Sequence, residues 1–368
     1  MKQLPSLDLH FLLKELEDLK DSRINKIYQP EKNLLIFSLY KTNSGKKLLK
    51  IIIGQILFLD EEKEDYETLN FGMFLRKHLD GYFLDDIEQI EPERILKLSF
   101  KVKNDIKTLY LEFFGKGNAI LCDENGIIIN SLEHHEFKDR TIKPKIKYKY
   151  PIMKYNFLNL DKSDLIELLK NSKKDTLVIS LATELGLGGV YAEEICLMSN
   201  IIKNIKAEQA SNKEIDSIFN NINNLIHKNL EPQVIFLENN PTDAIPFGLE
   251  FYRNYNSKKF PSFSEALKFF YSHFKEKIET EFDKKLRNLQ RIVDEQKAAI
   301  EQLEIEEQEL REKGELIYHR YNLIKEILDE INKASKKYSW REIKEKLKGH
   351  KIIKDVNEKD RKILLDVE

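Results

Sequence analysis

The sequence predicts an α+β head, an all-helical second domain, a long coiled-coil arm and a small α/β cap. Three observations carry that reading. Short apolar runs punctuated by turn residues fill the first part of the chain, they give way to helical patterns near residue 161, and a heptad seam runs from Leu286 to Ile331. The expected boundaries are 1–160 for the head, 161–232 for the helical domain, 233–274 for a connector, 275–335 for the arm and 336–368 for the cap.

In the head, Ser6 is the expected N-cap and Asp8 lies in the first turn of a helix whose Leu9, Leu12, Leu13, Leu16 and Leu19 recur at helical spacing. NLLIFSLYK and KKLLKIIIG read as strands joined by a tight turn at Thr42-Asn43-Ser44-Gly45. FGMFLRKHLDG reads as a helix stopped at Gly81. RILKLSFKV, TLYLEFF, NAILCD and GIIINSL then read as further strands.

In the connector the sequence predicts one strand, QVIFLE, and a helix beginning at SFSEALKFFYSHF. In the arm, positions 289, 296, 303, 310, 317, 324 and 331 hold Leu, Gln, Leu, Leu, Ile, Ile and Ile. Leu286, Val293, Ile300, Tyr321 and Leu328 accompany them, with Glu307 and Gly314 as breaks. At 1.5 Å per residue the stripe is roughly 70 Å long and wants a partner helix. That helix either follows Glu368 or belongs to another chain, as in a homodimer. SWREIKEKLKGHKIIK through KILLDVE forms the cap.

Lys and Arg number 61 against 63 Asp and Glu, so nucleic-acid binding has to be argued from local patches. Cys122 and Cys196 lie far apart without a C-x-x-C partner, so no disulfide framework or zinc site is indicated. No apolar run is long enough to span a bilayer and MKQLPSLDLHFLL lacks a signal-peptide cleavage site, which together point to a cytoplasmic protein. Phosphate-loop, H-E-x-x-H, G-x-S-x-G and strand-led G-x-G-x-x-G signatures are absent, so a binding factor without catalytic residues or a cofactor is expected. His134, His135 and Glu136 cluster in sequence, but neighbours in a strand point to opposite faces and a solvated loop accounts for them.

Three constellations could carry function. The run KDRTIKPKIKYKYPIMK, residues 138–154, holds seven basic residues against one acid. Arg140, Lys143, Lys145 and Lys147 would attract phosphates while Tyr148 and Tyr150 offer planar faces to bases. A lysine-protected edge strand explains the same pattern. ATELGLGGVYAEEIC has the form of a helix-hairpin-helix, in which Gly186, Gly188 and Gly189 expose amides at a helix start and Tyr191, Ala192 and Ile195 pack inward. An ordinary helical turn also needs such glycines, and Glu193 and Glu194 near the helix start favour its dipole without inviting an anion. Glu93-Arg94 is either a surface ion pair or, in a concave site, a guanidinium fork beside an orienting carboxylate.

RINKIYQP, FGMFLRKHLDG, PERILKLSF, LEFFGKGNAILCDENG, RTIKPKIKYKYP, LGLGGVYAEEIC, FPSFSEALKFFY, LREKGELIYHRY and YSWREI occur in one order between residue 23 and about residue 342. Together they resemble the NFACT family of ribosome quality-control factors, which includes RqcH- and NEMF-like proteins and those once called fibronectin-binding-protein-A-like. The resemblance implies a head similar in fold to formamidopyrimidine-DNA glycosylases, a helix-hairpin-helix domain, and a two-helix arm with a middle cap. It implies binding to large ribosomal subunits and their rRNA when obstructed by peptidyl-tRNA, and recruitment of tRNA, often alanyl-tRNA, to extend the stalled chain. The family's tRNA-recognition motif falls on Glu93 and Arg94. The family usually has Asp where Glu93 stands and Gly where Lys145 stands, and its returning helix and C-terminal RNA-binding domain would follow Glu368. Glycosylases of related fold use an N-terminal proline amine and an adjacent glutamate; Lys2 and Gln3 occupy those places, so a secondary-amine Schiff base is excluded. A purely adhesive coiled-coil protein would leave the glycine hairpin and the basic run unexplained.

Overall fold

The computed structural model describes residues 2–61, 66–151, 153–275 and 281–366, and the chain divides into two units, Met1–Ile278 and Glu279–Glu368. The first unit opens with α1 (Ser6–Leu16), capped by Pro5 rather than by the side chain of Ser6. The Ser6 hydroxyl instead accepts from Gln89 Nε2 at 2.8 Å, because the first turn is buried and a tertiary donor reaches it.

Four strands follow, β1 (Arg23–Glu31), β2 (Leu34–Lys41), β3 (Gly45–Ile52) and β4 (Ile56–Asp60), then α2 (Asn70–Leu79). The second strand set is β5 (Phe83–Gln89), β6 (Ile95–Val102), β7 (Asp105–Glu112), β8 (Asn118–Cys122) and β9 (Ile128–Ser131). These nine strands form one antiparallel sheet in the order β4-β3-β2-β1-β5-β6-β7-β8-β9, two meanders joined where Arg23 pairs with Phe83. The far turns of the meanders meet backbone to backbone: a Cβ on Gly54 would lie 2.7 Å from the Lys116 carbonyl oxygen, so only glycine fits there. A small hairpin, β10 (His135–Glu136) with β11 (Thr141–Ile142), follows the sheet.

The helical part contains α3 (Lys162–Asn171), α4 (Leu177–Thr183), α5 (Gly189–Met198) and α6 (Asn212–Ile226). After it, the stretch expected to hold a single strand holds three, β12 (Gln233–Leu237), β13 (Asn240–Ile245) and β14 (Asn256–Lys259), in a sheet of order β13-β12-β14. Pro241 at the start of β13 and the wholly exposed β14 erase the alternation by which a strand is recognised.

The β12–β13 hairpin serves two cores at once. Val234 and Ala244 join the core of the large sheet, whereas their neighbours Ile235 and Ile245 join the helical core, as period-two geometry requires. Helix α1 divides in the same way, with Leu9, Leu12 and Leu16 toward the sheet and Leu7 and Phe11 toward the helices. Helix α7 (Phe263–Lys275) closes the unit over β4, its first amides accepted by Glu15 at 2.6 and 2.9 Å.

In the second unit α8 (Glu281–His319) presents Leu289, Leu303 and Leu310 to solvent. Arg320 interrupts the helix before α9 (Tyr321–Ser335). Beyond that break Ile327 and Ile331 are buried, with half-buried Leu323 beside them, packed on Ile353 and Val356, whereas the expected Leu328 is exposed. Ile331 keeps its expected place on the seam, while Ile327 takes the place expected of Leu328. Helix α10 (Trp340–Lys346), with a capping box between Ser339 and Glu342, precedes the hairpin β15 (Ile353–Asn357) and β16 (Lys362–Leu365).

Candidate functional site

A cleft of about 1300 Å³ opens in the first unit. One wall comes from Gln3, Pro5 and Ser6, another from Pro92, Glu93 and Arg94 ahead of β6, and Phe114 follows β7. The loop after β11 adds Tyr148, Lys149, Tyr150, Pro151 and Met153, and the β10–β11 turn adds Phe137, Asp139 and Arg140. The α4–α5 turn closes it with Gly186, Gly188, Gly189 and Val190. Glu93 and Arg94 therefore share one concavity with Arg140, Tyr148 and the hairpin glycines, whereas Lys143, Lys145 and Lys147 lie outside its lining.

Glu93 and Arg94 are both half-buried. Burial pushes the Glu93 carboxyl above its usual range, opposed by the charges of Arg94 and Arg140 and by a hydrogen bond from the Met153 amide. Among the described residues the Arg94 guanidinium makes no side-chain hydrogen bond and no ion pair, and desolvation lowers its pKa. The strand pairing fixes where it stands, since its carbonyl accepts from the Phe113 amide at 2.8 Å. A partly desolvated guanidinium with unused donors is poised for a planar, bidentate anion.

The glycine turn is built for close approach. Gly186 and Gly188 have φ of +83° and +82°, and a Cβ on Gly186 would fall 2.9 Å from Met153 Sδ. The amides of Leu187 and Gly188 are taken by Leu181 and Ala182 carbonyls, which ends α4. Those of Gly189, Val190 and Tyr191, the first turn of α5, find no acceptor among the described residues. Tyr191, Ala192 and Ile195 are buried. Glu194 is buried as well and accepts from the Glu250 and Phe251 amides at 3.0 and 2.8 Å, so it pins the helical turn between β13 and β14 rather than serving the helix dipole as the sequence suggested.

The basic run divides in its roles. Residues 145–148 lie along the free edge of β9, with Lys145 and Tyr148 amides donating to Ile128 and Gly126 at 2.8 Å, so its backbone does cover a sheet edge. Lys145 adopts φ +68°, the left-handed region that glycine prefers. Lys145 and Lys147 are exposed with no ion pair among the described residues; Lys143 pairs with Glu136. The planar face expected of Tyr148 is already occupied: its ring packs on Tyr110 at 4.4 Å and its hydroxyl donates to Glu112 at 2.9 Å. Tyr150, 40% exposed, is the accessible ring of the pair.

Glu112 escaped the sequence reading. Its only signal there was an acid embedded in the apolar LEFF run, and such an acid has to be buried with a partner or to turn outward.

Lys2 is buried. Its Nζ lies 2.7 Å from both Asp8 Oδ2 and Asp243 Oδ1, and these carboxylates hold it protonated against desolvation. Tyr191 and Tyr252 hydroxyls donate to Asp8 and Asp243. Among the described residues no group of three or more His, Cys, Asp or Glu is arranged to hold a metal, and no helix is long and apolar enough to cross a membrane.

Residues 6–365 match the family profile described as NFACT N-terminal and middle domains. The archaeal Rqc2 homolog aRqcH of Methanocaldococcus jannaschii is 28% identical over 99% of this chain and 58% of its own length. The Rqc2 homolog RqcH of Bacillus subtilis is 33% identical over 37% of this chain and 26% of its own. This chain thus spans just over half of the archaeal relative. Among solved structures, the fibrinogen binding protein from Staphylococcus aureus superposes with TM-score 0.61 at 21% identity, covering 73% of this chain and 98% of that one. The N-terminal part of the fibronectin/fibrinogen-binding protein from Streptococcus suis gives 0.59 at 23% identity, over 73% and 99%. Both likenesses concern the fold. With its profile matched from Ser6 to Leu365, the chain belongs to the NFACT family through that family's N-terminal and middle domains.

Proposed function

We propose that this chain is the RNA-facing part of a cytoplasmic ribosome quality-control factor. In this reading it binds large ribosomal subunits obstructed by peptidyl-tRNA and recruits tRNA, alanyl-tRNA in the first instance, for C-terminal tailing of the stalled chain. The observation that carries the reading is the Arg94 guanidinium, without an ion pair or side-chain hydrogen bond among the described residues, lining the same cleft as a helix start with unused amides. Both are anion-seeking, and the exposed Lys149 lines the same cleft. The names of the relatives, Rqc2 homologs and ribosome quality control complex subunits, support the same reading. The cleft would then be the tRNA contact, with Glu93 orienting Arg94 or accepting from a base amino group. The exposed apolar stripe of α8 would be one half of a coiled-coil arm.

The test is co-sedimentation with purified large subunits carrying peptidyl-tRNA, with sequencing of the bound tRNA. Arg94→Ala is expected to keep subunit binding and lose tRNA enrichment. An enrichment independent of Arg94 would refute the assignment.

A further inference from the structure

Two arginines line the cleft, and only one is free to take a ligand. Arg140 is clamped by Glu112, with Nη1 to Oε1 at 2.5 Å and Nη2 to Oε2 at 3.2 Å. The pair is nearly dry, with side-chain exposures of 10% and 4%. The guanidinium also lies against two aromatic rings, 4.8 Å from the Phe137 centroid and 5.5 Å from that of Phe114. Glu112 ends β7 opposite Ile95, one residue from Arg94 across the ladder, so a single strand end fixes the backbone beside both guanidinium groups.

We propose that Glu112 sets the anion specificity of the cleft. By neutralising Arg140 and holding it against the phenyl rings, it leaves Arg94 as the one guanidinium of the cleft lining that an incoming phosphate can engage. Arg140 then acts as a wall and stacking surface, not as a second phosphate contact. A fork already satisfied by a carboxylate has no donor pair to offer, and releasing it costs the full ion pair. The consequence is a cleft that offers a phosphate one bidentate guanidinium, Arg94, with the point charge of Lys149 in the same lining, in place of two competing forks.

The inference rests on the RNA-binding reading above, and the experiment separates the two. Anisotropy titrations of a labelled RNA stem-loop across a salt series compare the full chain with its Glu112→Gln, Arg94→Ala, Arg140→Met and Glu112→Gln/Arg140→Met variants. The carboxamide keeps the volume and an acceptor for Tyr148 while freeing Arg140. Glu112→Gln is expected to bind about tenfold more tightly at low salt, the worth of one charge-assisted hydrogen bond. Its plot of log affinity against log salt should steepen by about 0.7 to 0.9, one added phosphate contact, and the double variant should restore the original slope. A residue with only a scaffolding role would, when replaced, weaken binding without steepening the slope, and that result overturns the proposal. If Glu112→Gln does not fold, Arg140→Met decides, since a bare Glu112 should repel RNA, and unchanged affinity there overturns the proposal as well. RNA binding indifferent to Arg94→Ala would overturn the cleft reading and this inference together; dependence on Arg94 with an unchanged Glu112→Gln slope would overturn this inference alone.

Discussion

Replacing Lys2 by methionine should damage the first unit out of proportion to its place at the edge of the chain. The side chain is 7% exposed and its ammonium sits 2.7 Å from two carboxylates, Asp8 in α1 and Asp243 in β13. Methionine fills a similar volume but leaves both acids buried, facing each other without a counter-charge. Removing one partner of such a buried pair typically costs about 3–5 kcal/mol. For a unit of this size that corresponds to a fall in Tm of roughly 6–20 °C. Urea denaturation followed by tryptophan-independent circular dichroism measures it, with an unchanged m-value showing that the unfolded state is not the cause. Adding Asp243→Asn to Lys2→Met should recover part of the loss, because one stranded charge is then gone. A loss below about 1 kcal/mol, the range of exposed pairs, would refute the picture of a dry cluster. The effect reaches the site as well, since Gln3, Pro5 and Ser6 next to Lys2 form a wall of the cleft.

Gly186→Ala should cost about 1–2 kcal/mol, because a left-handed alanine is strained and its Cβ meets Met153, whereas Gly189→Ala, with open space at that position and no positive φ, should be near neutral in thermal melts. Equal effects would refute the geometry of the turn. Lys145→Gly should raise stability by roughly 0.5–1 kcal/mol through relief of φ +68°, and Lys145→Ala should not; a matching gain in both would assign the effect to charge instead. Glu93→Gln should be stability-neutral below pH 4.5 and stabilising toward neutrality. Burial raises the Glu93 pKa, so the wild-type fold loses stability as pH rises through that folded value and the carboxyl ionises. A Glu93→Gln protein less stable than wild type at neutral pH would contradict this.

The sequence by itself determined what depends on near neighbours. The β2–β3 hairpin follows from alternation around Thr42-Asn43-Ser44-Gly45, and α2 from the spacing of Phe74, Leu75 and Leu79 ahead of Gly81, although Phe71 rather than Phe74 is the buried phenylalanine. The helical character of α8 and α9 follows from an apolar repeat, but the break at Arg320 between them does not. These patterns are local, and backbone sterics with side-chain periodicity suffice to read them.

Tertiary structure alone decided which distant residues meet. Glu93 and Arg94 join Gly186 and Gly188 across some ninety positions of sequence because α1 and the β12–β13 hairpin are each shared between two cores. Arg140 and Tyr148 are individually what a nucleic-acid surface would use, yet both turn toward Glu112, a partner no spacing rule connects to them. The same limit hid Glu194 under the Glu250 and Phe251 amides. The physical reason is that a side chain's charge is written in the sequence, whereas its desolvation and its partner are set only when elements from remote parts of the chain pack against it.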